Sequence, residues 1–370
     1  MAVTYNRLWS QVVAWDNLVA AYHACRRRKR YKPDATRFDF AWESNLADIQ
    51  SLLIAGTYVP GEYRHFQISD PKPRKISAAP FRDRIVHHAL VRVLEPIFER
   101  RFIFDSYACR RGKGTHRAIA RAQRFARQYP YFLKSDIVRF FPNIDHEILL
   151  AHLSSIVRDQ QVLALIALIL RSGENVLSAQ ASHDYFPGDD LFALSRPRGL
   201  PIGNLTSQFF ANIYLDLVDH FVKEDLRVPG YVRYADDFVL FSNTKDQLWA
   251  IRDQLADYLA KLRLRLHRDK THVGSSAAGI RFLGLVVKPD SLRLQQRVVK
   301  RFSRRLRRLR WLFESKRIGT KRLRLSLDSW RRYAMYANSQ GLRNQLWRRA
   351  RFVRRSNRKS RGPNHENGGN

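Results

Sequence analysis

Three aspartates stand where carboxylates do chemistry only in company. Asp136 lies near the end of the strand-like run Phe132 to Val138, and Asp236 and Asp237 sit side by side in the middle of Tyr231 to Phe241. That second stretch, Tyr-Val-Arg-Tyr-Ala-Asp-Asp-Phe-Val-Leu-Phe, reads as two apolar strand halves around a polar tip, the grammar of a hairpin. Adjacent carboxylates at such a tip repel one another unless a cation neutralises them. Mg²⁺ takes carboxylate oxygens and keeps coordination positions for phosphate. Two such ions roughly 3.5–4 Å apart suit in-line phosphoryl displacement, one activating the attacking oxygen and one stabilising the leaving oxygen. The ordinary alternative is a solvated polar turn, and an Asp-Asp pair by itself does not separate the two. The apolar flanks, the third strand-end Asp and the basic character of the chain favour the metal.

The elements that must position these residues follow from periodicity. Leu8, Val12, Trp15, Val19 and Tyr22 recur at three- and four-residue steps and open a helical region that runs to about Tyr58, with Leu46, Ile49 and Leu53 on a second face. Pro60, Pro71, Pro73 and Pro80 punctuate short strand-like pieces between Val59 and Ala79. A helix follows Pro80, with Ile85, Ala89, Val93 and Leu94 inward. It should end near Pro96, since proline disfavours helix in the residue before it. Phe132 to Val138 is a strand, and Asp145 to Ile156 and Gln161 to Leu170 are helices. Ser172 to Arg198 is polar and rich in Gly, Pro and Asp, a long loop or small insertion of the kind that is functional or mobile. Asn204 to Val222 is helical, a helix with Leu248, Ile251, Leu255, Tyr258 and Leu262 inward follows the hairpin, and Ile280 to Val287 returns to strand. Phe302, Leu306, Leu309 and Phe313 then form one apolar stripe on a helix whose other faces are arginine. Arg354 to Asn370 lacks periodicity and is expected to be disordered.

The charge balance narrows the partners. The 370 residues hold 67 Lys+Arg against 33 Asp+Glu, a formal +34, with 45% hydrophobic residues, so wholesale disorder is excluded. Between Ser291 and Asn370 there are 25 basic and 3 acidic residues, +22 of that total. A block so basic repels itself unless it meets a polyanion, and nucleic acid is the commonest one. A solvated basic face or a membrane-surface helix is the alternative, and the aromatics among the charges favour a packed domain with a basic surface. Cys25 and Cys109 are the only cysteines, which excludes a disulfide framework or a cysteine-rich zinc site and points to a reducing interior. The longest apolar run, Val162 to Leu170, is about half of the ~20 residues that cross a bilayer, and Met1 to Ser10 does not read as a leader. A cytoplasmic protein without a membrane partner is expected.

At this point the sequence resembles the reverse transcriptases. Tyr234-Ala-Asp-Asp237 is similar to the signature hairpin of their palm, and Leu133-Lys-Ser-Asp-Ile-Val-Arg-Phe-Phe141 to the strand bearing their first metal-binding aspartate. Arg198-Gly-Leu-Pro-Ile-Gly-Asn-Leu-Thr-Ser-Gln208 resembles the loop and helix start that touch template and nucleotide. Pro71 to Ser77 and Asp83 to Val86 resemble the fingers motif, Ser106 to His116 the next block, and Asp269-Lys-Thr271 and Phe282-Leu-Gly284 the last two palm motifs. Seven such matches in the family's order, from about residue 60 to 290, make coincidence an inadequate account. The resemblance implies an α+β right-hand polymerase fold: an N-terminal helical extension (1–58), fingers (59–131), a palm with an antiparallel sheet (132–290, carrying the insertion 172–198), a basic helical thumb (291–353) and a basic tail (354–370).

It also implies an RNA-directed DNA polymerase that makes cDNA by two-Mg²⁺ nucleotidyl transfer, with Mn²⁺ as a substitute ion. Asp136 and Asp236 would bind the ions, Asp237 would complete the acidic cluster, and Ile137 would lend a backbone carbonyl. Lys72 and Arg74 would grip the incoming triphosphate. Lys270 would donate to the leaving pyrophosphate, or be a structural lysine. Phe141 falls where the family keeps an aromatic gate against the ribose 2′-hydroxyl, or is a core aromatic beside Phe140, which as a strand neighbour should face the other way. Ile202 and Gly203 stand where many relatives have Gln-Gly, and Ile-Gly-x-x-x-Ser-Gln is the pattern of the diversity-generating retroelement enzymes. An Ile cannot make the polar contacts of a Gln to the nascent pair, so error-prone copying is expected, or the loop is a lineage variant.

The basic helix would track duplex phosphates through Arg304, Arg305, Arg307 and Arg308. RNA template, DNA primer and dNTPs are the implied partners, with a dedicated structured RNA and a small accessory protein, since no nuclease-like segment is evident after the thumb. A retron-like or phage-defence reverse transcriptase would use the same site. A ribonucleoprotein scaffold, as a maturase can be, is the reading from another class.

Overall fold

Helices with one apolar stripe each open the chain: α1 (Trp9–Val13), α2 (Trp15–Arg26), α3 (Pro33–Asp39) and α4 (Trp42–Ile54). The computed structural model describes residues 3–68, 73–182, 184–190, 192–349 and 352. Leu18, Ala21, Tyr22 and Cys25 of α2 and Leu46, Ile49 and Leu53 of α4 are buried at the three- and four-residue steps of a helix face. A hairpin of β1 (Arg64–Ile68) and β2 (Arg74–Ala78) follows, then α5 (Phe81–Glu99) and α6 (Thr115–Gln128).

Pro96 lies inside α5 rather than ending it. It sits in the last turn, where proline removes one backbone bond, and Ile97 and Phe98 are buried immediately after it, so burial outweighs the local cost.

The central sheet is built from strands distant in sequence. β3 (Tyr131–Asp136) lies between β5 (Asp237–Ser242) and β6 (His272–Ser275), and β4 (Tyr231–Tyr234) flanks β5, giving the antiparallel order β4-β5-β3-β6. Between β3 and β4 the chain forms α7 (Phe140–Asn143), α8 (His146–Ile156), α9 (Gln160–Ser172) and α10 (Leu205–His220), and between β5 and β6 it forms α11 (Lys245–Lys261). α6 packs on β4 and β5, and α11 on β3, β5 and β6. Leu133, Phe238 and Leu240 of the sheet share one hydrophobic cluster with α2, α5, α8, α9, α10 and α11. Asp159 caps α9 by accepting from Gln161 and Val162, and its other oxygen accepts from Leu8 and Trp9 at the start of α1 (2.7 and 2.8 Å). One carboxylate thus satisfies the orphan amides of two helices 150 residues apart.

Ser172 to Arg198, expected as a loop or insertion, contains three short 3₁₀ turns and is sewn to its surroundings. Asn143 exchanges hydrogen bonds with Ser182 (2.6 and 2.8 Å), Arg263 pairs with Asp189, and Arg196 holds Asp145 at 2.7 Å. Phe140 and Phe141 lie in the helical turn α7 rather than in a strand, so their rings diverge by helical rotation instead of strand alternation.

The chain divides into two units, one up to Ser276 and one from Ala277. The second unit has its own antiparallel sheet, β7 (Ile280–Phe282), β8 (Leu285–Val287) and β9 (Leu292–Leu294), followed by α12 (Gln296–Glu314), α13 (Thr320–Met335) and α14 (Gln340–Arg349). Ile280 to Val287 is therefore two strands with a turn at Leu283-Gly284. Gly284 has φ +87°, and the Tyr333 hydroxyl of α13 occupies the space a Cβ would need. The stripe on α12 is buried as its spacing predicts: Phe302 and Leu306 pack with Trp330, Ala334 and Leu346, and Leu309 and Phe313 with Ile318 and Leu323. The rings of Phe302 and Trp330 stack with centroids 3.7 Å apart. The tail 354–370 lies outside the described residues. No described helix is long and apolar enough to cross a membrane.

Candidate active site

Strand register brings the three aspartates together. Asp136, the last residue of β3, lies directly opposite Asp237, the first of β5. Tyr234 pairs with Asp237, so Ala235 and Asp236 form a two-residue turn between β4 and β5. Ala235 has φ +55°, the positive value that primed hairpin turns require at their first central residue and that costs an L-residue strain. The chain beyond β3 is fixed by an antiparallel bridge between Ile137 and Leu266, with the Val138 amide donating to Arg265 and the His267 amide to the Asp136 carbonyl (2.9 and 2.8 Å).

The carboxylates already attract cations. Lys134 donates to Asp237 Oδ1 at 2.6 Å, and Lys270 Nζ lies 3.0 Å from Asp136 Oδ2. Burial raises the Asp236 carboxyl above its ordinary value, and the charge of Asp136 raises it further, while Lys270 and Arg74 pull it down. Burial pushes Asp237 up to about 6; Lys134 opposes this, and Asp136 and Asp236 add to it. Carboxylates that penalise one another in this way are those a cation relieves. In the reverse transcriptases, which the motifs of this site resemble, such carboxylates work with a divalent metal such as Mg²⁺. The donor set fits a hard cation by chemistry, being all carboxylate with the Ile137 backbone adjoining. Among the described residues no three His, Cys, Asp or Glu side chains are oriented as a ready cation site, and two of the three aspartates are turned onto lysines instead. An ion would have to take the place of those ammonium groups.

The remaining expected residues fall in several places. Arg74 is exposed at the start of β2 and acts electrostatically on Asp236, while Lys72 lies outside the described residues. Phe141 is half-buried against the core with its ring 5.5 Å from that of buried Phe140, and its carbonyl accepts from the Leu200 amide at 2.9 Å. The Ile202 carbonyl accepts from the Ser77 amide of β2 (2.9 Å). Gly203, at φ +124°, lies so close to β2 that a Cβ would come within 2.7 Å of Ile76 Cγ2. Arg304, Arg305, Arg307 and Arg308 are exposed on α12, in the second unit.

Two side chains at the site were not singled out from sequence. Lys134 had a signal: two residues before Asp136 in a strand, it shares a face with it. Asn204 is buried; its side chain accepts from the Ala79 amide (3.0 Å) and donates to the Ser77 and Pro201 carbonyls (2.9 and 3.2 Å), clamping the Ile202-Gly203 loop to β2. Its partners Ser77 and Ala79 are 127 and 125 residues away, and nothing local announces them.

The family model described as reverse transcriptase (RNA-dependent DNA polymerase) matches residues 69–287, well over half of the chain. Protein YkfC of Escherichia coli (strain K12) is 26% identical over 272 residues, 63% of this chain and 68% of that protein. Group II intron-encoded protein LtrA of Lactococcus lactis subsp. cremoris is 25% identical over 350 residues, 76% of this chain and 56% of its own. Putative COX1/OXI3 intron 1 protein of Saccharomyces cerevisiae is 22% identical over 354 residues, 80% of this chain and 41% of its own. The chain thus spans little more than half of the bacterial intron-encoded relative. The match takes in the Asp-bearing hairpin, the strand opposite it and the loop clamped to β2, and the mixed helical and antiparallel architecture is that of a right-hand polymerase: the chain belongs to the reverse transcriptase family.

Proposed function

We propose that the protein is an RNA-directed DNA polymerase that extends a DNA primer on an RNA template. The observation that carries this reading is the register of β3 and β5, which sets Asp136 against Asp237 with Asp236 in the adjoining turn. Asp136 and Asp236, with the Ile137 carbonyl, would hold two Mg²⁺ ions, or Mn²⁺ in their stead, and Asp237 would complete the acidic cluster. Bound there, the ions lower the cost of ionising a 3′-hydroxyl and neutralise the charge that develops on the phosphates. Arg74 and Lys72 bind and orient the triphosphate of the incoming dNTP. Lys270, which lies 3.0 Å from Asp136 Oδ2, would hydrogen-bond the leaving pyrophosphate, and Phe141 would exclude a ribose 2′-hydroxyl. Arg304, Arg305, Arg307 and Arg308 supply phosphate contacts that carry no sequence information.

Primer extension on an RNA template tests this: Mg²⁺-dependent synthesis by the wild type and none by Asp236→Ala is expected. Absence of Mg²⁺-dependent synthesis by the wild type would remove the proposal.

Ile202 supports a finer reading, error-prone copying of the diversity-generating kind with a dedicated structured RNA and a small accessory protein. With no amide to offer the nascent pair, misincorporation should concentrate opposite template adenine and fall in Ile202→Gln; equal error spectra would refute it. The similarity to the intron-encoded LtrA favours a second reading, in which the same chain binds intron RNA as a maturase. Selective, high-affinity binding of a group II intron RNA would support that one.

A further inference from the structure

Beneath the hairpin lies a fully buried ion pair that the proposed chemistry does not use. Arg233 of β4 and Asp219 of α10 both have side chains with 0% exposure. Arg233 Nε donates to Asp219 Oδ1 at 2.7 Å and Nη2 to Oδ2 at 2.5 Å. Nη2 also donates to Ser106 Oγ (3.0 Å), and Nη1 donates to Asn212 Oδ1 (3.2 Å) and to the Ala235 carbonyl (3.3 Å). A guanidinium has five N–H groups in a rigid fork, and all five find an acceptor. The acceptors come from α10, from the Ser106 segment and from the turn that carries Asp236. The backbone repeats the link: the Arg233 amide donates to the Asp105 carbonyl and the Tyr107 amide to the Arg233 carbonyl (2.9 and 3.0 Å). Asp219 is in turn fixed by the Tyr231 hydroxyl (2.8 Å), and Asn212 by its bond to the Ala108 carbonyl (2.9 Å).

We infer that Arg233 is a positioning residue for the catalytic turn: through the Ala235 carbonyl its guanidinium holds the strained Ala235-Asp236 backbone at a fixed place relative to α10 and the Ser106 segment. A buried ion pair is by itself weak evidence of stabilisation. Here the fifth N–H goes to a carbonyl beside a proposed metal ligand, on a residue with positive φ, and a turn that must be held against its own conformational preference needs such a partner. This inference rests on the polymerase reading for its effect on activity, but not for its effect on the turn.

The test compares Arg233→Lys, which keeps one charge on Asp219 but has only three donors on one atom, with Arg233→Met/Asp219→Asn, which removes both charges and leaves Tyr231 an acceptor. Leu255→Ala, in the core of α11, is the control for general destabilisation. Amide deuterium uptake is followed on peptides covering 231–242 and on the rest of the first unit, alongside primer extension as a function of Mg²⁺. The expected result for both Arg233 variants is uptake about tenfold faster confined to the hairpin. With it should come a loss of about ten- to a hundredfold in kcat, the scale of an ångström-sized misplacement, a raised Mg²⁺ requirement and unchanged template binding. Uptake that is unchanged, or that rises evenly as in Leu255→Ala, overturns the inference, as does a loosened hairpin with wild-type kcat and Mg²⁺ requirement. Were the wild type inactive, the polymerase reading would fall while the uptake data still decided the tether.

Discussion

The hairpin of β4 and β5 and the helix α12 are both densely charged, yet they are built on opposite principles. Around the hairpin three charges have an address: Asp237 has Lys134, Asp136 has Lys270, and Arg233 has an acceptor for every N–H. On α12 the arginines are exposed around a buried stripe, with occasional partners such as Ser326 for Arg305 and Glu314 for Arg310. Nucleotidyl transfer needs groups held to fractions of an ångström, whereas phosphate tracking needs only charge density on a stable face. Substitutions should therefore act steeply and singly at the hairpin, and gradually and collectively on α12.

The steepest effect expected is from Asp236→Ala. Several kcal/mol of charge stabilisation at about 1.4 kcal/mol per tenfold gives a loss of roughly a thousandfold or more in single-turnover incorporation, with primer–template affinity little changed. A loss below tenfold would place the chemistry elsewhere.

Lys134→Met leaves Asp237 without its counter-charge, so its carboxyl should rise from about 6 and the pH for half-maximal activity should move up with it. An unaltered pH profile would mean that Asp237 takes no part.

The same carboxyl makes a thermal prediction. Its folded-state pKa is above the ordinary carboxylate value, so its contribution to stability is fully present below about 3.9 and lost as pH rises through about 6. In Mg²⁺-free buffer the melting temperature of the wild type relative to Asp237→Asn should fall across that window, and Mg²⁺ should restore it at the upper end; a flat difference would contradict the placement of the charge.

The smallest single effects belong to α12. Each of Arg304, Arg305, Arg307 and Arg308 changed to Ala should weaken template binding only a few-fold on every sequence. The fourfold variant should flatten the log–log salt slope by up to about 3–4, at about 0.9 per lost phosphate contact. A sequence-selective loss would break the contrast with the hairpin.

What was legible in the sequence was whatever depends on neighbours in sequence. The two apolar halves around Asp236-Asp237 gave the hairpin, and the spacing of Phe302, Leu306, Leu309 and Phe313 gave the buried stripe of α12, because both are local patterns. Pro96 misled because a local helix-stop rule was set against the burial of Ile97 and Phe98, which only the tertiary fold supplies. The anchoring of Ser172 to Arg198 was invisible for a related reason: Asp189 meets Arg263 74 residues away and Ser182 meets Asn143 39 residues away. Asn204 and Arg233 were hidden likewise, since a polar residue inside an apolar stretch does not reveal which distant carbonyls it will satisfy.

The central claim is that Asp136 and Asp236 jointly hold divalent ions. Mn²⁺ binding measured by electron paramagnetic resonance, on the protein with a chain-terminated primer on RNA template and the next dNTP, tests it most directly. The account predicts two magnetically coupled Mn²⁺ ions in the wild type and loss of that coupled pair in Asp136→Asn/Asp236→Asn. An unchanged coupled pair in the double variant would contradict it.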